Sequence, residues 1–221
     1  MYAFNYVRAA SVADAAKALA GNAKLIAGGQ TLIPTLKQRL ASAASIVDVS
    51  GIADLKGIKS DGKTVTVGAA VTHAEVAGNA DVKKSLPALA VLAGSIGDPQ
   101  VRNRGTIGGS IANNDPAADY PAGVLGLGAT VVTNKREIKA DDFFTGLFST
   151  ALGDDEIITA IKFPAAEKAG YAKFEQRASR YALVGVMAAK TAGGIRVAVT
   201  GAGANGVFRA SALEADRKSV V

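Results

Sequence analysis

The sequence has no cysteine, no tryptophan and a single histidine, and aromatic residues make up only 5% of it. Without cysteine the chain can form no disulfide, no thiolate metal site, no iron–sulfur ligation of its own and no cysteine nucleophile. The lone His73 cannot build a zinc site, and in "VTHAEVAG" it reads as a solvated or packed residue at a helix start. So few aromatics give no stacking platform for single-stranded nucleic acid. Charge of one sign is not concentrated: the net charge is +6, with Lys and Arg spread along the chain. That suits an anionic ligand or an acidic partner protein rather than nucleic acid. No run reaches the ~18 apolar residues of a membrane helix. The opening "MYAFNYVRAASVADAAKALA" carries Asp14 and Lys17 inside its apolar part, so it lacks the continuous core of a secretory signal, and the expected compartment is the cytoplasm.

Glycine, by contrast, is plentiful, with 25 residues of 221, in a chain that is 49% hydrophobic and 20% charged. Such a chain can bury a core, and its glycines imply many tight turns and close backbone contacts. Residues 2–7 read as a short strand. Ser11 with Asp14 resembles a capping-box start for the alanine-rich helix that follows, and Gly21 is a suitable stop. "AKLIAGG" reads as a short buried strand, "TLIPTLKQRLA" as a helix with Pro34 tolerated in its first turn, and "SIVDVSG" as a third strand. Residues 1–55 therefore read β-α-β-α-β, with parallel pairing. "GIKSDGKTVTVGAAV" is a hairpin about an Asp-Gly turn. The following helical segment starts at a Thr72–Glu75 capping box and is split by Pro87. "ATVVTNKREI" reads as strand, turn and strand, "DEIITAIKFP" as a strand, and a third unit follows residue 168, with helical character in "RASALEADRKS".

Two glycine stretches repeat one composition. "AGGQT" (27–31) and "TIGGS" (106–110) each set adjacent glycines beside a hydroxyl. A diphosphate needs several backbone N–H donors aimed into one concavity with no side chain in the way, and Thr or Ser can add a donor. Any strand-to-helix turn can also carry Gly-Gly, so one such loop means little, but two in separate units can close on one ligand, which requires Gly29 and Gly108 to face a common cleft. "GAGANG" (201–206) fits a dinucleotide fingerprint, but too little chain follows it for the helix, strand and acidic residue such a unit needs, and it reads as a glycine-rich connection.

In order along the chain, "LIAGGQTLIPTLKQRL", "VDVSGIADLKGI", "VGAAVTHAEV", "IGDPQVRNRGTIGGSIANNDPAADYPA" and "YAKFEQRASRYALVGVMAA" resemble the FAD-binding medium subunit of molybdenum hydroxylases, the carbon monoxide and xanthine dehydrogenase group. The resemblance runs from about Phe4 to Ala215. It implies an α/β (α+β) chain with the two-lobed FAD-binding fold of the vanillyl-alcohol-oxidase-like (PCMH) type. Residues 1–55 would form a small lobe, 56–167 a larger one, and 168–221 a C-terminal domain that covers the flavin and is shorter than is usual in the family. It implies FAD contacts at Leu25, Ile26, Ala27, Gly28, Gly29, Gln30, Thr31 and Leu32, and at Thr106, Ile107, Gly108, Gly109 and Ser110. It also implies contacts at Asp119, near the FAD ribose and diphosphate, at the apolar Ile96 and Ile158, and at Lys173 near the flavin. Plainer readings stand beside the last four: a helix cap for Asp119, core for the isoleucines, a surface charge for Lys173.

The resemblance further implies partners: a small subunit with 2Fe-2S clusters and a large subunit with the molybdenum cofactor, assembled as a dimer of heterotrimers. Electrons would pass from those clusters to FAD and on to NAD, a quinone or oxygen. No residue of this chain is expected to act as a general acid, base or nucleophile, or to bind metal, because the flavin carries the chemistry. Two rivals remain. One is a stand-alone FAD oxidoreductase, for which Tyr120, Tyr171, Tyr181, Arg177 and Arg180 are available. The other is a non-catalytic nucleotide-binding assembly module.

Overall fold

The computed structural model describes residues 1–216; the last part of "RASALEADRKS", and Arg217–Val221 as a whole, lie outside the described residues. The first stretch contains β1 (Asn5–Arg8), α1 (Val12–Ala18), β2 (Ala23–Ile26), α2 (Leu32–Lys37) and β3 (Ser45–Asp48). Its strands form a parallel sheet in the order β1-β3-β2. Ser11 caps α1, its hydroxyl accepting from the Asp14 N–H at 3.1 Å and donating to the Asp14 carboxylate at 2.8 Å. Strand β2 is an edge strand and only half-buried, not the buried strand its apolar run suggests; the buried position belongs to central β3. An apolar run alone cannot tell an edge strand under a ligand cavity from a core strand.

The second stretch builds a mixed layer. Strands β4 (Ile58–Ser60) and β5 (Thr64–Gly68) flank the Asp61-Gly62 turn, where Gly62 has φ +84°. Helices α3 (His73–Gly78), α4 (Ala80–Ser85) and α5 (Pro87–Gly94) follow, where the sequence predicts a single break at Pro87. The extra break comes from Asn79, whose side chain accepts from the N–H groups of Asp81 and Val82 and starts a new helix. The Thr72–Glu75 capping box forms as expected, with bonds of 3.2 and 2.7 Å. Next come α6 (Pro99–Arg102), α7 (Ile107–Asn113), α8 (Asp119–Gly126), β6 (Thr130–Thr133), β7 (Glu137–Lys139), α9 (Ala140–Phe143), a small hairpin of β8 (Phe144–Gly146) and β9 (Ser149–Thr150), and β10 (Ile158–Pro164). The antiparallel sheet runs β4-β5-β10-β6-β7. The main core lies between this sheet and α3, α5, α7 and α8, and includes Val67, Leu89, Leu92, Ile107, Ile111, Val124, Phe143, Ile161 and Phe163.

The third stretch is a meander of long strands, β11 (Ala166–Glu175), β12 (Ala182–Thr191), β13 (Gly194–Thr200) and β14 (Phe208–Arg209), followed by α10 (Ser211–Ala215). One face packs on α8, where Gly126 leaves room for Met187: a Cβ there would sit 2.7 Å from Met187 Cγ. Residues 201–206 connect β13 to antiparallel β14, so the fingerprint-like glycines there are a connection, not a phosphate loop opening a helix.

Candidate functional site

The carboxyl end of β2 turns into α2 through Ala27–Thr31, and that turn faces α7 across a cavity of about 630 Å³. Gly29 and Gly108 both line it. The stretches meet closely. A Cβ on Gly28 would lie 2.0 Å from the Arg104 carbonyl oxygen, and one on Gly108 would lie 2.6 Å from the Ala69 Cβ. Both glycines therefore let main chain pack on main chain.

In other respects the two stretches differ. "TIGGS" is not a loop: Thr106 is the N-cap of α7, and the glycines occupy its first turn. Its amides are used inside the protein. Ile107 N–H donates to the Val71 carbonyl at 3.1 Å, Gly108 to Ala69 at 2.9 Å, Gly109 to the Thr106 hydroxyl at 3.2 Å and Ser110 to the Thr106 carbonyl at 3.0 Å. In the first stretch, the N–H groups of Gly28, Gly29, Gln30, Thr31 and Leu32 donate to no protein acceptor among the described residues. Gly29 is left-handed with φ +72°, and Thr31 is right-handed helical without a side-chain cap bond. A turn that mixes left-handed and right-handed residues can aim N–H groups into one concavity that suits an anion.

Of the residues singled out by sequence, Leu25–Leu32, Ile96, Thr106, Gly108, Gly109, Ser110, Asp119 and Ile158 line this cavity. Ile107 does not; it is fully buried in the core behind α7. Lys173 is not in the wall either, nor is it a surface charge: its side chain is 6% exposed. Its ammonium donates to the Ser95 carbonyl at 3.0 Å and pairs with the Asp119 carboxylate, which does face the cavity. Asp119 opens α8 without capping it, and also accepts from the Tyr171 hydroxyl at 2.5 Å. Burial pushes its carboxyl up from the ordinary value, and the Tyr171 hydroxyl and Lys173 ammonium oppose that shift. Ile96 and Ile158 are wall and core at once, since both also pack on the main cluster.

Several further residues join the wall. His73, 5% exposed, lies behind Gly105, where a Cβ would approach its Nε2 to 2.5 Å. Burial, and then the Arg102 charge, lower its pKa to about 4, so the ring is neutral. Its Nδ1 and the neighbouring Tyr120 hydroxyl have no partner among the described residues. Glu156 is held by Arg136, which lowers its pKa to about 2. From the third stretch, Ser179, Arg180 and Tyr181 in the β11–β12 hairpin reach the cavity, with Arg180 donating to the Gly97 carbonyl at 3.3 Å; Arg177 is not part of the wall. Among the described residues no cluster of His, Asp and Glu is placed to hold a metal ion, and no helix is long and apolar enough to cross a membrane.

A turn of free amides, glycines closed to any Cβ, and apolar walls ending at a buried carboxylate fit an elongated anionic ligand with an apolar ring system. The comparisons with known proteins agree. The family model described as the FAD binding domain in molybdopterin dehydrogenase matches residues 2–166. The chain is 40% identical over 191 residues to the glyceraldehyde dehydrogenase medium chain of Sulfolobus acidocaldarius, spanning 83% of this chain and 68% of that one. It is 37% identical over 212 residues to the carbon monoxide dehydrogenase medium chain of Hydrogenophaga pseudoflava, spanning 89% and 74%. A solved structure of carbon monoxide dehydrogenase from the same organism, lacking the Mo-pyranopterin moiety of its molybdenum cofactor, superposes with a TM-score of 0.91 at 37% identity, over 97% of this chain and 79% of that one. The chain thus belongs to the molybdopterin dehydrogenase FAD-binding family and is a FAD-binding oxidoreductase subunit of the molybdenum hydroxylase type.

Proposed function

We propose that this chain holds FAD in the cavity between its first two lobes and serves as the electron-exit subunit of a three-component complex. The observation that carries this reading is the row of unspent N–H groups from Gly28 to Leu32. Gly28, Gly29 and Leu32 are half-buried and Gln30 and Thr31 exposed; a diphosphate would supply acceptors for several of these N–H groups at once. Ser110 can add its hydroxyl, whereas the amides of 107–110 are already committed, so α7 contributes mainly shape. Asp119 is an acceptor and suits a sugar hydroxyl or ring N–H rather than a phosphate. Leu25, Ile26, Leu32, Ile96 and Ile158 give the apolar surface for the ring systems, and the 179–181 hairpin covers the mouth, as expected of a flavin-covering domain.

Bound there, FAD supplies the redox chemistry that links the 2Fe-2S clusters of a small partner to NAD, a quinone or oxygen, while a large partner carries the molybdenum cofactor and chooses the substrate. The relatives are named as medium chains or subunits of carbon monoxide dehydrogenase, glyceraldehyde dehydrogenase and nicotine 6-hydroxylase, which favours the same placement here; the proposed assembly is a cytoplasmic dimer of heterotrimers. The test is direct. Purified chain is expected to be yellow, or to take up added FAD, and to undergo reversible reduction. A colourless preparation that takes up no FAD overturns the reading. Uptake without redox change would favour an assembly module. Turnover of an organic substrate by the isolated chain would favour a stand-alone oxidoreductase, for which Arg180 and Tyr181 at the cavity are the available groups.

A further inference from the structure

The Asp119 carboxylate is the point where three elements converge beside the cavity. It sits at the start of α8, 4% exposed. Tyr171 and Lys173 lie two residues apart on β11, so both side chains leave the same face of the strand. The Tyr171 hydroxyl donates to Oδ1 at 2.5 Å; the Lys173 ammonium lies 3.0 Å from Oδ1 and 3.2 Å from Oδ2, and donates onward to the Ser95 carbonyl at the end of α5. The opposite strand is cut to fit. Gly185, paired in register with Lys173 on β12, faces the Tyr171 hydroxyl so closely that a Cβ would lie 2.5 Å from it. Tyr171 thus reaches Asp119 on α8 by passing over a residue with no side chain. Neither Tyr171 nor Lys173 lines the cavity; Asp119 does.

We infer that Tyr171 is a positioning residue that acts on the bound cofactor through Asp119, with Lys173 balancing the charge, so that this carboxylate is held as an oriented acceptor on the cavity wall. The ammonium balances the buried charge, and the phenol consumes one lone pair, which leaves Oδ2 as the oxygen most available to a ligand donor. The device also ties cofactor binding to docking of the β11–β12 sheet: the residues that orient the acceptor belong to the part of the chain that covers the cavity. A buried carboxylate with one donor removed swings or takes up a proton, and in either case ceases to be a fixed acceptor.

The inference rests on FAD occupying the cavity, and a double-mutant cycle separates the two claims. Tyr171→Phe, Asp119→Asn and the double variant are titrated with FAD by flavin fluorescence, and the midpoint potential of the bound flavin is measured in each. Tyr171→Phe is expected to weaken FAD binding roughly tenfold and to raise the potential, because a nearby fixed negative charge is lost. In the Asp119→Asn background the same substitution is expected to change neither quantity. Gly185→Ala, which displaces the phenol without touching the carboxylate, is expected to reproduce Tyr171→Phe. Full additivity of the two substitutions, or an unchanged affinity and potential in Tyr171→Phe, overturns the inference. Failure of the unaltered chain to take up FAD overturns instead the functional reading beneath it.

Discussion

The turn at 27–31 and the helix start at 106–110 have nearly the same composition and opposite economies of hydrogen bonding. In the second, the N–H groups of Ile107 to Ser110 all donate within the protein; in the first, those from Gly28 to Leu32 find no protein acceptor among the described residues. One stretch is finished as protein structure, and the other is left open for something else. Composition cannot reveal this, because it depends on whether a neighbouring chain segment, here Ala69–Val71, runs alongside to accept the bonds. The glycines differ accordingly. Those at 28 and 108 allow main chains to touch, while those at 29 and 109 keep the cavity surface low.

The largest effects should come from the touching pair. In Gly28→Ala the new methyl meets the carbonyl and Cα of the 104–105 backbone, the carbonyl oxygen 2.0 Å away, and in Gly108→Ala it meets the backbone of Ala69. Neither neighbour is a flexible side-chain end, so in Gly28→Ala the 27–31 turn must move off the 104–105 backbone, and in Gly108→Ala the start of α7 must move off Ala69. We expect losses near the ~3 kcal/mol upper range of overpacking in both, read as a lower denaturant midpoint. FAD uptake should fall along with them. Near-normal stability in Gly28→Ala would show that the 27–31 turn is not pressed against the backbone at Gly105.

Behind that contact stands His73, so acid should attack the second stretch and not the first. The ring is neutral in the folded protein, with its pKa lowered to about 4 by burial and by Arg102, against 6.5 when unfolded. A group depressed in the folded state gives stability that is complete above pH 6.5 and is lost as pH falls from there toward about 4. The gap corresponds to roughly 3 kcal/mol. Glu156, with its pKa lowered from 4.5 to about 2, contributes its own acid limb as pH falls from about 4.5 toward 2. Urea titrations at pH 7 and pH 4.5 should show the decline in the unaltered chain and a much flatter dependence in His73→Gln. Equal slopes would mean that the imidazole is solvated or paired.

Local rules made the Ser11 cap, the Thr72 capping box, the Asp-Gly hairpin and the parallel β-α-β-α-β unit legible, because each depends on residues within a few positions. The break at Asn79 obeys the same rule, but Pro87 is the louder signal in the sequence. The helical nature of 107–113 was not legible: two glycines argue against helix, and what favours it is a Thr106 cap together with bonds to Ala69 and Val71 that lie far off in sequence. In the site, resemblance marked Asp119 and Lys173 but not the order in which they act. That order depends on Tyr171 and Gly185, which are brought beside them by the β11–β12 register. Arg180 and Tyr181, available on the stand-alone oxidoreductase reading, do line the cavity, whereas His73 and Glu156 reach it only through tertiary packing, with no short pattern to place them there.

The pair on the cavity surface separates folding from binding most cleanly. At Gly29, φ is +72° and a Cβ would meet the Ile33 Cδ1 at 2.7 Å, the far end of a side chain that can move. Gly29→Ala should cost about 1–2 kcal/mol from left-handed strain, and should weaken FAD binding by more than that loss because the row of amides is bent. Gly109→Ala should be milder still for the fold. The residue is exposed in the first turn of α7, its φ is not positive, and the nearest atom to a new Cβ is the Thr106 hydroxyl at 3.0 Å. Alanine is the better helix former, by up to about 1 kcal/mol in a helix interior, which offsets the tight contact. The apoprotein should therefore melt within a degree or two of the unaltered chain. Yet its methyl lines the same cavity as the amides of 28–32, so FAD affinity should drop about tenfold. If melting and affinity are both unchanged, α7 forms the wall of the fold without touching the cofactor, and the two stretches differ even more than their hydrogen bonds indicate.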